Sequence, residues 1–169
     1  MSTDSEYQNA AIMSQKKRVL MICLGNICRS PIAEAVFENE ISKRGLKNQW
    51  EVESAAIMGY HINKIPDHRA LTTLKENGII NYSHRARQIT QNDFDKFDWI
   101  FGMDNENIQD LNSIKPKKCK TRVELLGSYD PSGEVIIQDP YYDNNSAGFQ
   151  KAYEQCLRSI TVFLDKHSD

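Results

Sequence analysis

Near the start of the chain, Arg18-Val19-Leu20-Met21-Ile22-Cys23 carries an unbroken apolar row from Val19 to Ile22. A strand with one face in water alternates apolar and polar residues, so a row apolar on both sides needs cover on both faces. That is the condition of a central strand in a parallel sheet. The row is followed, after a short loop, by Ser30-Pro31, a favoured N-cap residue and a favoured first helical residue. This predicts a helix from there, with Ala33, Val36, Phe37 and Ile41 facing inward and Glu34, Glu38 and Lys43 outside that set.

The same strand-to-helix theme recurs along the chain. Glu51 to Ala55 reads as a weak strand, and Asp67 as the cap of a helix that carries Ala70, Leu71 and Leu74 and stops at Gly78. Thr90 and Asp93 resemble a capping box ahead of Phe94 and Phe97. Asp98 to Met103, with Trp99-Ile100-Phe101, is a strand, and Arg122 to Leu126 is a fourth. Phe149, Ala152, Tyr153, Cys156, Leu157, Ile160, Phe163 and Leu164 keep helical spacing over four turns. Strands alternating with helices imply an α/β fold with a parallel sheet, in which ligands bind at the carboxyl ends of the strands.

A chain of 169 residues suits one domain, expected over 17–169, and no internal repeat is visible. The polar stretch from Met1 to Lys16 is expected to be a disordered leader. Lys plus Arg number 21 against 23 Asp plus Glu, a net charge of −2, which excludes bulk attraction to nucleic acid or to an anionic membrane. No apolar run reaches the ~18–20 residues needed to span a bilayer, and no signal-type segment is present, so a soluble cytoplasmic protein is expected. The four cysteines, Cys23, Cys28, Cys119 and Cys156, are too sparse for a disulfide scaffold and read as reduced thiols.

Any anion site must therefore be local, and Cys23-Leu24-Gly25-Asn26-Ile27-Cys28-Arg29-Ser30-Pro31 provides one. Backbone N–H groups in a loop wrapping toward a helix N-terminus form a concave anion site, and Gly25 and Asn26 tolerate the positive φ such a curve needs. Arg29 adds a planar fork for two phosphate oxygens. A cysteine at the mouth of this cup has its thiolate stabilised and can attack phosphorus with no metal. Burial as an ordinary core thiol is the commonest fate of a free cysteine, but the Gly, Asn, Arg, Ser and Pro that follow Cys23 argue for chemistry.

This loop, continued through Ile32-Ala33-Glu34-Ala35, resembles the signature of the low molecular weight protein tyrosine phosphatases. The resemblance extends to Ser54-Ala55-Ala56, Ala86-Arg87-Gln88-Ile89-Thr90, Phe101-Gly102-Met103-Asp104, Glu124 to Pro131 and Asp139-Pro140-Tyr141-Tyr142, and covers the chain from about Lys17 onward. It implies a three-layer α/β sandwich with a four-stranded parallel sheet flanked by helices and the phosphate loop after the first strand. It implies hydrolysis of phosphotyrosine in tyrosine-phosphorylated proteins, and of small aryl phosphates as an acid phosphatase, with no cofactor and no metal, by a monomer or weakly self-associating chain. Cys23 is then the nucleophile that forms a cysteinyl-phosphate, Arg29 binds the phosphate, and Leu24, Gly25, Asn26, Ile27, Cys28 and Ser30 complete the loop. Asp139 becomes the acid that protonates the leaving group and later the base that activates water, although Asp130-Pro131 is a competing copy of the same dipeptide. Tyr60 and Tyr141 flank the slot, with Tyr142 beside them. Ser54 and His84, with Asn26 and Ser30, hold the loop in shape, and Ser30 can donate to the Cys23 sulfur. Relatives that act on phosphoarginine carry Thr where this chain has Ile27.

Other features weigh less. His61 and Lys64 make the rim segment after Met58 more basic, which favours acidic residues near the phosphotyrosine. Trp50 reads as structural, and Lys115, Lys117, Lys118, Lys120 and Arg122 as a solvated connector. Oxidation of Cys23 can end in a disulfide with Cys28. A thioredoxin-coupled arsenate reductase needs further cysteines close together, and Cys119 and Cys156 are far apart in sequence. A silent phospho-ligand module would lack Cys23, Arg29 or Asp139. Zinc and dinucleotide or Walker-type nucleotide sites lack their spacing.

Overall fold

The computed structural model describes residues 16–168, so all of the expected leader but Lys16 lies outside the described residues. Four strands, β1 (Lys17–Cys23), β2 (Trp50–Ala56), β3 (Trp99–Gly102) and β4 (Arg122–Leu125), form one sheet in the order β2-β1-β3-β4. All neighbours are parallel, with β1 paired to β2 from Lys17–Trp50 to Cys23–Ala56 and to β3 from Val19–Trp99 to Met21–Phe101. The apolar row of β1 is thereby explained. Val19, Met21 and Cys23 face one buried cluster, and Leu20 and Ile22 face another across the sheet.

Helices cover both faces. Helices α1 (Arg29–Lys43), α2 (His68–Glu76) and, later in the chain, the 21-residue helix Ala147–His167 contribute to the first cluster. The short α3 (Asp93–Lys96) and α4 (Asn105–Ile114) cover the second through Phe94 and Leu111. The long last helix is α5. The result is the three-layer α/β sandwich expected. Phe163 of α5 is the hub of the larger core, its ring 5.1–5.4 Å from the rings of Trp50, Trp99, Phe101 and Tyr129. Trp50 is thus a core residue, as expected.

Several local expectations change. Helix α1 begins at Arg29 with Cys28 in the N-cap position and no side-chain cap, so Ser30 is not the cap; its hydroxyl is used on the Cys23 sulfur instead. Glu34, expected on the outer face of α1, is buried, because Ser54 and Tyr82 donate to its carboxylate. Helix α4 was not expected at all. Its Asn-rich sequence has few apolar positions, and its start is set by Asp104, whose carboxylate accepts from the Asn107 N–H at 2.8 Å. Asp67 does cap α2, accepting from the Arg69 N–H at 2.9 Å, and α2 gives way to Gly78 at φ 87°. The Thr90–Asp93 pair closes as a capping box only on the acidic side, Asp93 accepting the Thr90 N–H at 2.8 Å.

Truncating the core hub tests this arrangement. Phe163→Ala removes ring contacts with Trp50, Trp99, Phe101, Tyr129 and, at 4.7 Å, His167, and denaturant unfolding should show a loss of about 3–5 kcal/mol.

Candidate active site

At the carboxyl end of β1 the chain leaves the sheet through residues 24–28. The loop's carbonyls are tied outward, with Cys23 accepting from Ile57 N–H at 3.0 Å, Leu24 from Met58 at 3.0 Å and Ile27 from Asp67 at 2.8 Å. Its amides are left facing the hollow. Among the described residues, the N–H groups of Gly25, Ile27 and Cys28 find no protein acceptor, while that of Asn26 donates to the Cys23 sulfur at 3.3 Å. Such a cup of free amides ahead of a helix is suited to an anion.

Asn26 adopts φ 58° and directs the loop's hydrogen bonds. Its Nδ2 donates to Ser30 Oγ at 2.8 Å and to Ser54 Oγ at 2.9 Å, while its Oδ1 accepts from His84 Nε2 at 2.7 Å and the Arg87 N–H at 3.2 Å. Since Ser30 Oγ accepts from Asn26, its own proton is free to point at Cys23 Sγ, 3.0 Å away. The sulfur therefore meets two donors, the Ser30 hydroxyl and the Asn26 amide. The four residues expected to shape the loop, Asn26, Ser30, Ser54 and His84, are one connected set.

Arg29 is buried, its guanidinium directed by two groups that the sequence left without a role, Asp104 and Ile137, and by Asp139, which it did single out. Nη1 donates to Asp104 Oδ2 at 2.6 Å and to the Ile137 carbonyl at 2.8 Å, and Nη2 lies 3.7 Å from Asp139 Oδ2. Burial works against its charge, but Cys23, the Asp104 hydrogen bond and Asp139 together hold it above its ordinary value. Its Nε is a buried donor with no acceptor. A buried donor of this kind calls for an acceptor that the protein itself does not supply.

The pocket is lined by Cys23, Leu24, Gly25, Ile27, Cys28, Tyr60, His61, Asp139, Tyr141 and Tyr142. The expected rim tyrosines and Asp139 thus come together with the loop. The rival Asp130 does not. Its buried carboxylate is gripped by Arg158 Nε and Nη2, each at 3.0 Å, which holds it below the ordinary carboxylate range even against burial. His61, singled out in the sequence only for its charge, has a steric place. A Cβ on Gly25 would lie 2.8 Å from its ring, and its centroid is 6.3 Å from that of Tyr141. Among the described residues, no group of three or more His, Cys, Asp or Glu is gathered to hold a metal ion. No described helix is long and apolar enough to cross a membrane.

Burial also governs the groups behind the loop. His84 is pushed down to about 4 by burial and then by the charge of Arg87, so it is neutral at physiological pH. Glu34 is pushed up to about 7 by burial, against the hydrogen bonds from Tyr82 and Ser54. Burial, followed by the charge of Cys23, pushes the Cys28 thiol far above its ordinary value, which marks it as a neutral thiol beside Cys23.

Comparison with known proteins places this geometry in a family. The family model described as low molecular weight phosphotyrosine protein phosphatase matches residues 18–167. The human low molecular weight phosphotyrosine protein phosphatase is 51% identical over 152 residues, covering 89% of this chain and 95% of that protein. Among solved structures, a protein tyrosine phosphatase of Entamoeba histolytica, with Hepes in its active site, superposes with a TM-score of 0.85 at 30% identity, covering 89% of this chain and 96% of that one. A Drosophila arginine phosphatase does so with a TM-score of 0.84 at 36% identity, covering 89% and 98%. The chain belongs to the low molecular weight phosphotyrosine protein phosphatase family.

The buried carboxyl behind the loop has a measurable pH signature. A group whose folded value is raised contributes stability at low pH that is lost as pH rises from its unfolded value, about 4.3, through about 7 for Glu34. His84, with a depressed value of about 4, contributes in the opposite sense, losing stability as pH falls below its unfolded value; its Nδ1 lies 3.4 Å from Glu34 Oε1, so the substitution touches this contribution too, but only below about pH 6.5, where the unfolded imidazole is charged. Urea unfolding should therefore show Glu34→Gln gaining on the wild type as pH rises from about 5 to about 8. A pH-independent difference would contradict the buried titration.

Proposed function

We propose that the chain hydrolyses phosphotyrosine in tyrosine-phosphorylated proteins, and small aryl phosphates as an acid phosphatase, through a covalent intermediate on Cys23. The observation that carries this reading is that one pocket is lined both by Cys23, whose sulfur receives two hydrogen bonds, and by Asp139, with the unpaired amides of Gly25, Ile27 and Cys28 on the same loop. A phosphoryl group seated in the cup would accept from the loop amides and from Nε and Nη2 of Arg29, while Nη1 stays on Asp104. The Cys23 thiolate attacks phosphorus, forming the S–P bond as the P–O bond to the phenol breaks. Asp139, protonated, gives its proton to the departing phenolate oxygen. The resulting carboxylate then takes a proton from water as that water attacks phosphorus, the S–P bond breaks, and the Ser30 hydroxyl stabilises the returning thiolate. Developing charge on the equatorial oxygens is met by fixed donors, so no metal is required in this scheme.

The flat faces of Tyr60 and Tyr141, with Tyr142 perpendicular to Tyr141 at a ring distance of 5.0 Å, suit an aromatic ester. Ile27 in the pocket supports an aryl ester over phosphoarginine, despite the likeness to the Drosophila arginine phosphatase. A disulfide-relay reductase is disfavoured. Cys156 belongs to the cluster on one face of the sheet, its thiol pushed up to about 12 by burial, whereas Cys119 packs against the cluster on the other face.

Hydrolysis of para-nitrophenyl phosphate in EDTA tests the scheme. Wild type should be active without metal, and Cys23→Ser should lose activity on the order of a thousandfold or more. Asp139→Ala should lose about 10²–10³-fold on phenyl phosphate and much less on aryl esters with better leaving groups. A requirement for metal, or activity retained by Cys23→Ser, overturns it.

A further inference from the structure

Asp139 is useful only if its carboxyl is held at the leaving oxygen, yet it begins an exposed stretch. Residues 141–147 are all exposed, and the strand-like contacts that anchor the chain just before them, Ile137 N–H to Met103 and the Ile137 carbonyl to Arg29, stop short of Asp139. Among the described residues, the only hydrogen bonds that residues 139–145 receive from earlier in the chain both come from Arg69 on α2. Its Nη2 donates to the Tyr141 carbonyl at 3.0 Å and its Nη1 to the Asp143 carbonyl at 3.0 Å.

Arg69 is itself fixed at its other end. Its Nε and Nη2 donate to the two carboxylate oxygens of Asp67 at 3.0 Å each, and its guanidinium lies over the Phe149 ring at 4.6 Å. The backbone N–H of Asp67 donates to the Ile27 carbonyl in the phosphate loop at 2.8 Å. On the acid side, the Tyr141 N–H donates to Asp139 Oδ1 at 3.0 Å, which leaves Oδ2 turned toward Arg29. A continuous chain of contacts thus runs from the phosphate loop through Asp67 and Arg69 to the peptide of Tyr141 and the carboxyl of Asp139.

We infer that Arg69 is a positioning residue for the reaction, a clamp that sets the acid loop, and with it the Asp139 carboxyl, at a fixed place relative to phosphate held in the loop of Cys23. The inference rests on the reading of Asp139 as the general acid. A planar guanidinium is needed because four hydrogen bonds leave it in two directions, toward a carboxylate and toward two carbonyls; a lysine ammonium cannot span both. Displacing a catalytic group by a fraction of its working distance is costly in rate while leaving substrate binding largely intact.

The experiment measures kcat/KM for a series of aryl phosphates, from phenyl phosphate to 2,4-dinitrophenyl phosphate, in Arg69→Gln, Arg69→Lys, Asp67→Asn, Asp139→Asn and the double variant Arg69→Gln/Asp139→Asn. Arg69→Gln should lose about tenfold or more on phenyl phosphate and stay within about twofold of wild type on the dinitrophenyl ester, whose leaving group needs no proton. Arg69→Lys should fail to restore the loss, and Asp67→Asn, which loosens the clamp from its other end, should show a smaller loss with the same leaving-group dependence. Added to Asp139→Asn, the Arg69 substitution should cost nothing further on phenyl phosphate. Thermal melting of each variant separates the clamp from a general loss of fold. An equal loss on every ester, full restoration by lysine, or losses that multiply in the double variant would assign Arg69 a merely structural role and overturn the inference. If Asp139→Asn itself shows no leaving-group dependence, the acid assignment falls and the clamp with it, whereas dependence in Asp139→Asn but not in Arg69→Gln defeats the clamp alone.

Discussion

The amide side chain of Asn26 is the interaction on which the site depends. Asparagine is one of the few non-glycine residues that enter the left-handed region readily, and the loop is held there because both ends of the amide are engaged, as donor to Ser30 and Ser54 and as acceptor from His84 and Arg87. The four partners come from three parts of the fold: Ser30 from α1, Ser54 from β2, and His84 and Arg87 from the segment that runs beside β2 through the Ala56–Gln88 bridge. The fold therefore holds the loop by this buried side chain from within and by the hydrogen bonds to its carbonyls from outside, and the loop in turn aims its amides and the Ser30 hydroxyl. Neutral His84 suits this role. Burial and the charge of Arg87 disfavour an imidazolium there even with Glu34 Oε1 3.4 Å from Nδ1, whereas the neutral ring donates from Nε2 to Asn26 without that cost.

How much of this was legible in the sequence depends on how far apart the interacting residues lie. β1 was legible because burial on both faces leaves an unbroken apolar run, and α5 because its buried positions recur at helical spacing over many turns. The loop after β1 was legible as a local string, from Cys23 to Ser30. Helix α4 was not, since only Asn107 and Leu111 of its ten residues are buried and asparagine is a poor helix former. Ser30 was misread as a cap because capping and donation to sulfur place the same residue type at the same spot in sequence. Asp104 and Arg69 were given no role in the sequence for a different reason. As sequence, each is an ordinary residue at a helix start, and their partners, Arg29 and the carbonyls of Tyr141 and Asp143, lie more than seventy positions away.

The electrostatics of the pocket follow from the same economy of charge. A protein of net charge −2 supplies no general attraction for a phosphate ester, and the site contains one guanidinium against two carboxylates, Asp104 and Asp139. Asp104 keeps one edge of Arg29 occupied and directs the remaining donors inward, at the expense of part of its positive field. What is left for a phosphoryl dianion is the Nε and Nη2 edge of Arg29 and the loop amides, donors that are fixed before the substrate arrives and need no reorganisation as charge develops. An ionised Asp139 beside Arg29 would compete with that dianion for the same edge. In the proposed mechanism the proton on Asp139 therefore serves twice: it removes a negative charge that would oppose substrate binding, and it is then delivered to the leaving oxygen. The carboxylate left behind is free to pull a proton from water only once the phenol has departed, which gives the two half-reactions their order.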